Sequence, residues 1–147
     1  MTQKGGGNMY NVFLGGTCNG STWRDELIPM LDQSKISAFN PVVEHWDEKA
    51  QAEEDYHKEN DDLILFCFTP ESFGQYAAFE VGRTSLLRPG KVVACFLPER
   101  AGKVFEKHDA KTVAKISRDL ISDGTPVFDS LEALASYLNT LEEKHSL

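Results

Sequence analysis

Glu80 is the residue of this chain whose surroundings most need a chemical explanation. It lies in Tyr76-Ala-Ala-Phe-Glu80-Val-Gly82, a stretch that is otherwise uncharged and looks packed on both sides. A carboxylate in such a setting is either tuned for a task or destabilising to keep. Its helical neighbours are Tyr76 at i−4, Arg83 at i+3 and Thr84 at i+4. A surface ion pair with Arg83, a matter of about 0.2–0.5 kcal/mol, is the simpler alternative. A second group is Gly15-Gly16-Thr17, with Trp23 and Arg24 shortly after it at the start of a helix. Glycines there let a ligand approach the backbone, and a helix N-terminus offers unpaired N–H groups to an anion. The same glycines also suit a tight strand-to-helix turn, and the spacing is neither GxGxxG nor a Walker sequence. Trp46, beside His45 in a loop, has an indole able to stack on a flat base or to cover the edge of the core. Tyr76 is the third aromatic candidate for such stacking.

Other reactive residues point away from metal chemistry. His45, His57, His108 and His145 are scattered, with no Cys or His partner at ligand spacing, so neither a metal nor a cofactor is expected. Cys18, Cys67 and Cys95 show no CxxC spacing, and the last two lie inside apolar runs where a thiol behaves as a small hydrophobe. Three cysteines that cannot all pair suit a reduced, cytoplasmic setting. Asp61 and Asp62 open a strand, at the end opposite any crevice.

The elements that must position these residues alternate regularly. Tyr10–Gly16 is expected as a first strand, and Trp23 to about Gln33 as a helix capped by Thr22. Ile36–Asn40 is a second strand stopped by Pro41, and Glu48 to about Asn60 is a polar helix. Leu63–Phe68 carries no polar side chain except a thiol, as does a strand buried on both faces of a parallel sheet. Pro70 ends that run, Ser72 is placed to cap, and a helix from Phe73 to about Leu87 carries Glu80. Lys91–Leu97 is another buried run. Asp109 to about Ile121, Pro126–Phe128 and Ser130–Glu143 complete the series as helix, strand and helix. Right-handed crossovers turn this alternation into a doubly wound parallel sheet of about five strands, in the flavodoxin-like order 2-1-3-4-5 with helices on both faces. The loops after strands one, two and three then converge on one crevice at the switch point.

Composition narrows the function classes. At 147 residues the chain has the size of one ordinary α/β domain, expected over residues 10–147 after a glycine-rich, flexible lead-in at residues 1–9. The formal net charge of −8 argues against a nucleic-acid polymer as partner, because such a surface needs clustered cations. No apolar run approaches spanning length, so no membrane partner is expected. The helix with Phe73, Tyr76, Phe79, Leu86 and Leu87 has more apolar surface than one domain face needs, which predicts a homodimer or larger assembly.

Phe13-Leu-Gly-Gly-Thr17, Ser21-Thr-Trp-Arg24, Phe39-Asn-Pro-Val-Val43 with Trp46, and Gly74-Gln-Tyr-Ala-Ala-Phe-Glu80 occur in that order. Together they resemble the nucleoside 2-deoxyribosyltransferase-like family, over roughly Tyr10 to Leu97. The resemblance implies a Rossmann-like domain, often oligomeric, that cleaves the N-glycosidic bond of a nucleoside or nucleotide. It assigns the nucleophile role to Glu80 and sugar and base contacts to Gly15, Gly16 and Thr17. Two positions depart from the family pattern: Gly74 stands where an aspartate precedes the glutamate by six residues, and Tyr76-Ala77 replaces a Gly-Thr pair. The expected chemistry is therefore N-glycosidic cleavage or transfer through a glutamate nucleophile, with a nucleotide-binding module of the same fold as the alternative.

Overall fold

The computed structural model describes residues 9–18 and 20–142. Most of the lead-in expected over residues 1–9, together with Asn19, Glu143 and His145, lies outside the described residues. Five parallel strands form the central sheet. They are β1 (Tyr10–Gly16), β2 (Ile36–Phe39), β3 (Leu63–Phe68), β4 (Val92–Phe96) and β7 (Val127–Phe128), in the order β2-β1-β3-β4-β7. This is the doubly wound 2-1-3-4-5 arrangement, with β7 as fifth strand of the sheet. The two apolar runs are adjacent and parallel, with Cys67 beside Cys95 in register.

Strand residues alternate between two cores, as the period of two requires. Val12, Leu14, Leu65, Cys67, Val93 and Cys95 face one core. Helices α1 (Trp23–Leu27) and α5 (Leu131–Asn139) cover it, through Trp23, Leu27, Leu134 and Leu138 among others. Phe13, Ile64, Phe66, Phe68, Ala94 and Phe96 face the other. Helices α3 (Gln75–Leu87) and α4 (Lys107–Ser122) close that side through Val81 and Leu120. Helix α2 (Glu48–Asn60) buries no residue of its own and rests on this face more lightly. The His57 ring stacks on Phe39 at 3.8 Å between centroids, and Lys58 lies over the Phe13 ring.

Several local expectations are corrected. The first helix ends at Leu27 and passes into a 3-10 turn over Ile28–Met30 instead of running to Gln33. Pro29 is the reason, since it has no N–H to continue the helical ladder. Thr22 makes no side-chain cap, and its hydroxyl instead accepts from Arg100 at 3.3 Å. Ser72 does not cap α3 either. That role falls to Gly74, in the left-handed region at φ 74°, while Ser72 bridges to Thr69. An antiparallel hairpin of β5 (Glu99–Arg100) and β6 (Lys103–Val104) follows β4 and was not expected. Arg100 ties it to Glu26 on α1 and to Glu71 after β3. Among the described residues no helix is long and apolar enough to cross a membrane.

Candidate active site

At the carboxyl ends of β1 and β3, where the strand order reverses, the surface opens into a cavity of about 290 Å3. The loops after β1, β2 and β3 all reach it, through Gly15 to Cys18, Pro41, and Ser72 and Gly74. Helix α3 supplies Tyr76, Ala77 and Glu80, and α2 supplies Glu54 and Lys58. The convergence expected of a switch point is therefore present.

Glu80 does not pair with Arg83. Its Oε2 lies 3.1 Å from Nζ of Lys58, and the same ammonium lies 3.1 Å from Oε2 of Glu54. Glu54 and Lys58 are four residues apart on α2, so both project toward α3 from one face. One cation is thus held between two carboxylates at the cavity wall. All three side chains are partly buried, that of Glu80 being 22% exposed. Burial works against the charge on Lys58, but the Glu80 and Glu54 carboxylates outweigh it and hold the ammonium pKa above its ordinary value. Lys58 therefore keeps its proton and acts as a fixed positive charge.

The β1 loop is built for close approach to β3. Gly16 has φ 112°, and a Cβ there would fall 2.0 Å from the carbonyl oxygen of Cys67. A Cβ on Gly15 would meet the Leu65 carbonyl at 3.0 Å. Strand contact accounts for both glycines, and their backbone also lines the cavity. Thr17 is buried and spends its hydrogen bonds on the next loop. Its N–H donates to Cys67 O at 2.8 Å, its Oγ1 accepts from Thr69 N–H at 3.0 Å, and the hydroxyl donates to Ser72 O at 3.0 Å. Thr17 thereby fixes the segment that leads into α3 and Glu80.

Arg24 also lines the cavity, yet it is only 3% exposed. Its guanidinium donates to the carbonyls of Leu14 and Thr17 at 2.8 Å and of Gly16 at 3.4 Å. Desolvation lowers its pKa, with the Cys18 thiol beside it acting in the opposite sense. Trp23 is fully buried and donates its indole N–H to Thr17 O at 2.8 Å. The structure thus places Trp23 in the core and not on the cavity. Trp46 is 58% exposed and does not line the cavity either. Of the three aromatic residues expected to serve for stacking, Trp23, Trp46 and Tyr76, only Tyr76 lines the cavity with Glu80. Trp23 was misplaced because the apolar face of a five-residue helix has to fill the core beneath it.

Glu54 and Lys58 are the residues that sequence reasoning missed. Their signal was the i, i+4 spacing of opposite charges, which on a polar helix is indistinguishable from ordinary surface pairing. Among the described residues no cluster of His, Cys, Asp and Glu is placed to hold a metal ion.

Residues 9–99 match the family described as nucleoside 2-deoxyribosyltransferase like. The match takes in the whole cavity wall, from Phe13 to Glu80, and stops at the start of the hairpin. Among solved structures, a conserved protein from Enterococcus faecalis V583 superposes with a TM-score of 0.53 at 18% identity, covering 88% of this chain and 97% of that one. That likeness concerns the fold. No curated protein matches the chain.

Proposed function

The chain belongs to the nucleoside 2-deoxyribosyltransferase-like family, and from that premise we propose that it cleaves or transfers the N-glycosidic bond of a nucleoside or nucleotide with Glu80 as nucleophile. The observation that carries this reading is the Glu54–Lys58–Glu80 arrangement on the wall of the switch-point cavity. Retaining glycosidases hold two carboxyl groups about 5–5.5 Å apart. Here one ammonium draws two carboxylates together, 3.1 Å from an oxygen of each.

In the first step a Glu80 oxygen attacks the anomeric carbon and the C–N bond breaks. The electron pair leaves with the base, which takes a proton relayed from solvent by the Glu54 carboxylate. In the second step water, or the nitrogen of an acceptor base, attacks the same carbon. Its proton passes through Glu54 back to solvent, and Glu80 leaves as carboxylate. Lys58 stays charged throughout and steadies whichever carboxylate is ionised. Tyr76, exposed at the cavity mouth, supplies a face on which the base stacks. Gly15 and Gly16 present backbone to the sugar, and Thr17, its own backbone groups engaged, holds that loop in place. Three free thiols accord with a reduced, cytoplasmic setting.

The test is release of free base from a panel of nucleosides and nucleotides, read by chromatography. Glu80→Gln keeps the shape and removes the attacking charge, so turnover is expected to fall by about three orders of magnitude or more with the fold intact. Glu54→Gln should slow cleavage of ordinary bases far more than of substrates whose leaving group needs no proton. A substrate with fluorine at C2′ should leave a sugar adduct on the peptide containing Glu80. Wild-type rates from Glu80→Gln would refute the mechanism. Binding by the wild type without release of any base would favour a nucleotide-sensing module.

A further inference from the structure

Behind the Lys58–Glu80 pair lies a second cavity, of about 250 Å3, between α2 and α3. Lys58 and Glu80 line both cavities, so their ion pair is the partition between them. The floor of the second is apolar, from Ile64 and Phe66 of β3. Its walls add Arg83, Thr84 and Arg88 of the α3 segment, so three cations face one carboxylate. That balance is the reverse of the molecule's, whose formal net charge is −8.

The three cations differ in how they are engaged. Arg88 is anchored, since its Nη1 donates to the carbonyls of Lys58 and Glu59 at the end of α2. The rest of its guanidinium remains available, because arginine carries five N–H donors. Arg83, by contrast, makes no hydrogen bond or ion pair among the described residues. It stands three residues from Glu80, the usual spacing for a helical pair, yet Glu80 turns to Lys58 instead. Lys58 has three N–H donors, two of them directed to Glu54 and Glu80, which leaves one.

We propose that this cleft is an oxyanion subsite for a phosphate group, held by Arg83, Arg88 and the free face of Lys58, and that its occupation draws Lys58 away from Glu80. The binding half stands by itself, while the coupling half rests on Glu80 being the nucleophile. The ammonium orients the Glu80 carboxylate but lowers its nucleophilicity, so loosening the pair quickens the attack. A phosphate dianion competes for that ammonium more strongly than a carboxylate does, because it carries more charge and more acceptor oxygens. Filling the rear cavity would release Glu80 Oε2 from its ammonium. The phosphate has two possible sources, the substrate's own phosphate or free phosphate acting as an effector.

The binding experiment uses inorganic phosphate and the intact chain, with affinity from calorimetry and location from amide shifts around Arg83 and Thr84. Wild type should bind, and Arg83→Glu should lose affinity by about tenfold or more, the order of one charge-assisted hydrogen bond. Arg83→Lys should retain most of it. Equal binding by Arg83→Glu, or no binding at tens of millimolar phosphate, would overturn the site. Rates then separate the sources. Free phosphate that speeds cleavage of unphosphorylated nucleosides in wild type but not in Arg83→Glu identifies an effector. Free phosphate that speeds nucleoside cleavage and also raises KM for nucleotides identifies the substrate's own group. Phosphate bound at Arg83 that changes neither rate overturns the coupling to Glu80. If the wild type releases no base while phosphate still binds at Arg83, the glycosidic reading fails and the oxyanion site stands.

Discussion

A buried guanidinium whose hydrogen bonds go to backbone carbonyls, as Arg24's do, is a structural cation. Its carbonyl partners belong to the end of β1 and the loop that forms the cavity floor. Replacing it with methionine fills similar space but takes the side-chain donor from Leu14 O, while Thr17 O keeps the Trp23 indole N–H. The expected loss is about 1–3 kcal/mol, from the one buried acceptor that loses its side-chain donor. Chemical denaturation of Arg24→Met, with the midpoint shifted at unchanged slope, checks this. A loss near zero would mean that water replaces the guanidinium and that Arg24 is free to serve a ligand. At this scale the sequence was informative about Glu80 and silent about its partners. An isolated carboxylate among Ala78, Phe79 and Val81 is conspicuous in one dimension. Lys58 is an ordinary lysine on a charged helix until tertiary packing sets it against α3. Trp23 shows the opposite error: its chemistry suggested a ligand, and the need to fill a core claimed it.

At the scale of elements, helix α2 positions two of the three residues of the charged cluster, although it buries none of its own side chains. Its order depends on its cap and on the contacts of His57 and Lys58. Asp47 Oδ1 accepts from Ala50 N–H at 2.8 Å, satisfying an orphan donor of the first turn. Asp47→Ala should cost about 1 kcal/mol. Thermal unfolding measures that loss. If α2 frays into the cluster, kcat on the best substrate should fall more than KM rises, because the proposed reaction uses Glu54 in its chemical step. An unchanged kcat with lowered stability would show that α2 is held from its C-terminal end alone. The strands were legible because Leu63–Phe68 and Val92–Leu97 are apolar at every position, a pattern that few alternatives share. The hairpin of β5 and β6 was not. Its turn places Ala101 at φ 53° and Gly102 at φ 75°, and alanine gives no hint of a left-handed conformation. Arg100 holds that hairpin through contacts distant in sequence, which no local pattern encodes.

For the molecule as a whole, the outer face of α3 is the surface without an explanation inside one chain. Tyr76, Phe79, Leu86 and Leu87 are all exposed, the last two at 68% and 66%. Tyr76 and Phe79 form a tilted aromatic pair at 5.9 Å, adjoining the mouth of the front cavity. A lone exposed leucine means little, but four large apolar side chains along one helix are the kind of patch that partners cover. A second copy of the chain is the occupant we expect, since closing this face would also narrow the opening beside Tyr76. A drier cavity strengthens every charge interaction that the proposed reaction uses. Light scattering should therefore give a mass of at least twice that of the chain at micromolar concentration. Phe79→Glu places a charge in the patch without touching the sheet or the Glu54–Lys58–Glu80 cluster. It should shift the mass toward the monomer and raise KM, while circular dichroism stays unchanged. A wild-type monomer at micromolar concentration would overturn the assembly. A Phe79→Glu protein that remains assembled would place the interface elsewhere on the surface and leave the apolar face of α3 to another partner.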